Sequence, residues 1–135
     1  MYPAVAAAVV QVYNIPAVQS LTGADASVVL TRDVLAKVFM GDVYRWSDPL
    51  ILDEQSPQVR AALSAMADPT INVVVRDDGS GTTEILTKAL SLFSADFRAR
   101  VGGDDVLDWC EDGMEALSCP TVANGTDNVV GKEAH

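Results

Sequence analysis

Apolar positions change their spacing several times along the chain, and each change predicts an element. Val5 to Val12 is almost continuously apolar, interrupted by Gln11. A run apolar on both faces predicts a buried strand over 5–14, ended by Asn14-Ile15-Pro16. Residues 17–26 read as a loop of small polar residues, and 27–30 as a short strand. Val34, Leu35, Val38 and Phe39 then share one face at helical spacing. Thr31 is the N-cap of that helix, Asp33 lies in its first turn and Gly41 stands just past its end. Trp46 follows in a loop, where it is expected to pack against the helix.

Ser47-Asp48-Pro49 starts another helix, with Pro49 at its first position. Pro57 opens a third, to about Met66, with Val59, Ala62, Leu63 and Met66 in period and Asp68-Pro69 as its end. Residues 70–76 predict a strand, and 81–92 a helix that turns Ile85, Leu86, Ala89 and Leu90 inward. Ser94 caps a last helix to Arg100, where Arg98 and Arg100 suit the negative end of the dipole. Residues 103–128 are acidic and turn-rich, with turn signals at Asn124-Gly125 and Asp127-Asn128. Alternating strands and helices predict an α/β class, with helices on both faces of a central sheet. Ligand sites in such sheets sit at the carboxyl ends of strands.

One such end carries chemistry. Val73-Val74-Val75-Arg76-Asp77-Asp78-Gly79-Ser80-Gly81-Thr82-Thr83 reads as a strand, a glycine-punctuated turn and the first turn of a helix. The two glycines allow a tight bend and close approach to a ligand. Ser80, Thr82 and Thr83 bring hydroxyls. The first amides of the helix, with its dipole, favour an anion. Arg76 adds a fork of donors suited to two oxygens of one oxyanion. A carboxylate at Asp78 would fix that guanidinium and lower the entropy cost of binding. Read alone, a Gly-Ser-Gly-Thr turn is also an ordinary helix cap.

The run R-D-D-G-S-G-T-T resembles the phosphate-binding loop of the periplasmic phosphate-binding proteins of ABC transporters. Three further stretches fit the same family in the same order. They are Val9-Val10-Gln11-Val12-Tyr13-Asn14-Ile15-Pro16; the block from Leu30 to Gly41 followed by Arg45-Trp46-Ser47-Asp48-Pro49; and Val101-Gly102-Gly103 followed by Val106-Leu107-Asp108-Trp109. The resemblance implies a three-layer lobe with a central mixed sheet flanked by helices. It implies that Arg76, Ser80, Gly81 and Thr82 contact phosphate, with Gly79 in the same loop and Asp78 holding the arginine. Family members are two-lobed clamps, so the chain is expected to form one isolated lobe over 1–131, with 132–135 as a frayed tail. A companion lobe or neighbouring domain is the expected partner. An acidic residue at Asp77 departs from the Ser or Ala often found there.

Charge and cysteines modify this picture. With a formal net charge of −10, the chain has no basic patch for nucleic acid, and its field should slow an approaching anion. That field is screened beyond about 8–10 Å at physiological salt, so local donors can still hold an anion. Cys110 and Cys119 lie close together, which suits a disulfide and a secreted or periplasmic location; two unrelated free thiols are the alternative. No cofactor or metal is expected: His135 is the only histidine, and no second cysteine pair completes a zinc set. No run is apolar enough to span a membrane. No Ser/His/Asp or Cys/His set can be assembled and the loop lacks the lysine of a Walker A motif, so catalysis is not expected. Two readings remain: an oxyanion-binding lobe, or an interaction module of a larger secreted protein that kept the fold and lost the ligand. An exposed lobe surface also predicts a weak homodimer.

Overall fold

The computed structural model describes residues 8–23, 26–76, 80–103, 121–124 and 128–129. In chain order the elements are α1 (Pro16–Gln19), α2 (Arg32–Phe39), α3 (Pro49–Leu52), α4 (Pro57–Ser64), β1 (Val74–Arg76), α5 (Gly81–Phe93), α6 (Ala95–Arg100), β2 (Thr121–Asn124) and β3 (Asn128–Val129).

The helix boundaries follow the capping chemistry. The Thr31 hydroxyl accepts from the Val34 amide, Asp48 from Leu50, Ser56 from Val59, and Ser94 from Phe97. Each satisfies an amide that has no intrahelical acceptor. Helix α2 ends in a Schellman arrangement: Gly41 donates to Val38 and Asp42 to Lys37, with Gly41 at φ 77°. Only glycine takes that left-handed conformation without strain.

Helix α2 stands between two apolar clusters. Val34 and Val38 join Ile15, Val18, Val43, Ile51, Val59 and Leu63 on one side. Ala36, Phe39 and Met40 join Val75, Leu90 and Phe97 on the other. The first cluster binds α1, α3 and α4 to α2, and the second binds α5, α6 and β1 to it. Trp46 packs against the first cluster, and its amide donates to Pro69 at 2.7 Å. An exposed ion pair, Arg100 to Asp42, ties the end of α6 to the loop after α2.

The described strands form one mixed sheet in the order β1-β2-β3. β1 and β2 are parallel, with Val74 opposite Thr121 and Arg76 opposite Ala123, while β2 and β3 are antiparallel. The connection from β1 to β2 passes through α5 and α6, as a parallel pair requires.

Several expectations are corrected. Residues 8–14 are not a strand, and Val10 and Val12 are 71% and 90% exposed. An apolar run states that burial is favourable, but a strand also needs a pairing partner, and 8–14 has none among the described residues. Residues 27–30 are likewise not a strand, because the Gln55 side chain takes the backbone bonds of Val29 that a strand would have used. The strand expected over 70–76 is confined to Val74–Arg76; Thr70 makes only an isolated bridge to Arg45. β2 and β3 were not anticipated, though they flank the expected turn signals. Cys110 and Cys119 lie outside the described residues, as does the tail 132–135.

Candidate oxyanion site

Arg76 is the last residue of β1, and its backbone pairs with Ala123 of β2. Ser80 is the N-cap of α5, Gly81 its first residue and Thr82 its second. Asp78 and Gly79, with Asp77, lie outside the described residues. The chain therefore leaves the carboxyl end of a strand and enters a 13-residue helix within a few residues. That is the arrangement in which a helix N-terminus faces the ligand edge of an α/β sheet.

Ser80 is buried, 3% exposed, and its Oγ accepts from the Thr83 amide at 3.4 Å. Its carbonyl accepts from Glu84 at 2.9 Å, the first bond of the helix. The amides of Gly81 and Thr82 belong to the first turn, where intrahelical acceptors are out of reach. Gly81 has no unusual backbone angle, and a Cβ built there meets nothing within 4 Å. The fold does not need glycine at this position; its absent side chain leaves room beside the amides.

The buried face of α5 differs from the expected one. Thr83, Thr87, Leu90 and Ser91 are buried, Leu86 and Ala89 are half-buried, and Ile85 is 58% exposed. The small hydroxyl residues can face the interior because they bond locally: Thr87 Oγ1 donates to the Glu84 carbonyl at 3.1 Å, and Ser91 Oγ to the Gly102 carbonyl at 2.8 Å. Ranking residues by hydrophobicity places Ile85 inside, whereas it is 58% exposed and the hydroxyl residues are buried. The ion pair of Glu84 with Lys88 was also missed; its i,i+4 spacing was the available signal.

A shallow hollow of about 190 Å3 in the tryptophan block is lined by Tyr44, Arg45, Ser47, Asp48 and Pro49. Among the described residues no group of three or more His, Cys, Asp or Glu is placed to hold a metal ion. No helix among them is long and apolar enough to cross a membrane.

A PBP superfamily domain matches residues 2–134, and the chain belongs to that family. It is 36% identical over 113 residues to the phosphate-binding protein PstS of Methanocaldococcus jannaschii, an alignment covering 84% of this chain and 27% of that protein. It is 32% identical over 108 residues to PstS of Pasteurella multocida, covering 80% of this chain and 28% of the relative. It is also 32% identical over 100 residues to a protein of Acanthamoeba polyphaga mimivirus named as a candidate serine/threonine-protein kinase/receptor, covering 74% of this chain and 6% of that protein. The chain thus resembles a PstS segment and spans just over a quarter of the length of these PstS relatives.

Proposed function

We propose that the chain is a non-catalytic lobe that binds phosphate or a closely related oxyanion, through Arg76, Asp78, Gly79, Ser80, Gly81 and Thr82. One observation carries the reading. The carboxyl end of β1 leads directly into the N-terminus of α5, with open space at Gly81, in a chain whose relatives are named phosphate-binding proteins. The amides of Gly81 and Thr82 supply directional donors, the dipole adds partial positive charge, and the Arg76 guanidinium provides two parallel donors. Asp78 orients the arginine. Nothing in this chemistry requires a proton to move.

In this reading, residues 1–131 form a three-layer lobe with a mixed sheet between helices, and a companion lobe or neighbouring domain completes the cleft. The location is periplasmic or extracellular, where a Cys110–Cys119 disulfide is stable. A single lobe leaves its anion open to water, so affinity is weak, roughly millimolar.

A second reading has a specific observation in its favour. The mimivirus relative carries a matching segment as 6% of a much longer protein. A lobe used in that way serves as a module of a larger assembly, with or without its ligand. Titration calorimetry with phosphate, sulfate and chloride separates the two. Heat of binding with phosphate, weakened tenfold or more by Gly81→Ala as the added methyl fills the space, supports the binding lobe; no heat with any anion supports the module.

A further inference from the structure

Helix α5 carries a competitor for its own anion. Glu84 lies in its first turn. The Cα–Cβ bond of a helical residue tilts toward the N-terminus, so a side chain covers the turn before its own Cα. For position 84 that turn holds Ser80 and Gly81, where the missing Cβ leaves open space. A carboxylate resting there would take the first-turn amides and the dipole for itself.

The fold holds this carboxylate elsewhere. Glu84 pairs with Lys88, one turn further along α5. The chain after α6 lies against the Lys88 stem: a Cβ on Gly103 would stand 3.0 Å from Lys88 Cγ and 3.6 Å from its Cα. A side chain at 103 would require the Lys88 stem to give by a few tenths of an ångström. The Ser91 hydroxyl, bonded to the Gly102 carbonyl, fixes the same turn onto α5.

We infer that Lys88 is a positioning residue for the oxyanion site, drawing Glu84 away from the N-terminus of α5 and offsetting its charge. The inference rests on the oxyanion reading above. Its signature is that the benefit of Lys88 depends on Glu84.

The test is a set of phosphate titrations of the whole chain at low ionic strength, using wild type, Lys88→Met, Lys88→Arg, Glu84→Gln and the Glu84→Gln/Lys88→Met double variant. Methionine keeps the stem that packs on Gly103 and removes the charge. Lys88→Met should weaken binding about threefold to tenfold, the scale of one uncompensated charge several ångströms from the ligand. Lys88→Arg should restore it. In the Glu84→Gln background the same Lys88→Met change should alter binding by less than about twofold. Equal losses in both backgrounds would show that Lys88 acts through its own charge, and unchanged binding in Lys88→Met would show that it does not act; either overturns the inference. A wild-type chain that binds no phosphate overturns the oxyanion reading itself, an outcome distinct from both.

Discussion

Gln55 pairs with Val29 as a neighbouring strand would. Its Oε1 accepts from the Val29 amide at 2.9 Å, and its Nε2 donates to the Val29 carbonyl at 2.6 Å. The same Nε2 donates to the Ile51 carbonyl at 2.8 Å, so one buried amide joins the 27–30 segment to the end of α3. Replacing Gln55 with leucine leaves these backbone groups without partners and should cost about 1–3 kcal/mol. Urea unfolding measures it; an unchanged midpoint and slope would show that water replaces the side chain at no cost.

This pairing also shows what the sequence could and could not disclose. Most helices were legible because their signals are local: Thr31, Asp48, Pro57 and Ser94 mark the starts of α2, α3, α4 and α6, and Gly41 ends α2; α1 was not, since Pro16–Gln19 falls largely in the segment 17–26 expected to be a loop. The strands were legible only at β1, and there with wrong bounds, because a strand depends on a distant partner. Apolar character in 8–14 and 27–30 did not reveal that one segment has no ladder among the described residues and the other bonds to a glutamine side chain. In the candidate site, a strand ending at Arg76 and a helix starting at Gly81 were legible from the glycines and hydroxyls between and after them. The orientation of α5 was legible only in part: Leu90 is buried and Leu86 packs on the core as expected, but Thr83, Thr87 and Ser91 are buried while Ile85 is exposed.

Asp68 should contribute to the acid dependence of stability. Its carboxylate accepts from the Thr70 hydroxyl at 2.7 Å and the Thr70 amide at 3.1 Å. The hydroxyl bond chiefly, then the amide bond, holds its pKa below the ordinary 3.8, and Arg45 adds to the effect. A depressed folded-state value favours folding above 3.8, and that contribution is lost as pH falls through the folded value. Asp68→Asn should therefore show a shallower loss of stability with falling pH below about 4. Thermal melts across an acid pH series decide it; parallel curves for both proteins would contradict the assignment.

The Arg100–Asp42 pair should matter little despite its geometry. One guanidinium nitrogen donates to both carboxylate oxygens, at 2.9 and 2.8 Å, but the two side chains are 39% and 41% exposed. The coupling energy from a double-mutant cycle with Arg100→Met and Asp42→Asn should be about 0.2–1 kcal/mol and should shrink in high salt. A coupling of several kcal/mol, insensitive to salt, would show that α6 depends on this pair for its docking.

The exposed apolar residues Val12, Leu92 and Ile85, at 90%, 81% and 58%, favour weak self-association. The net charge of −10 opposes it, so association should strengthen as salt is added. Leu92→Lys should weaken it without lowering the melting temperature, since the leucine buries little surface in the monomer. Sedimentation across a concentration series at low and high salt measures this; a monomer throughout, with wild type and variant alike, would contradict it.

The central claim is that an oxyanion binds where β1 gives way to α5. The most direct measurement is a calorimetric phosphate titration of the wild-type chain beside Arg76→Ala. The account predicts roughly millimolar binding in wild type, with a loss of about 2–3 kcal/mol in the variant from its missing charge-assisted hydrogen bonds, enough to bring the heat to baseline. Phosphate binding of equal strength in both proteins would place the site elsewhere and contradict the account.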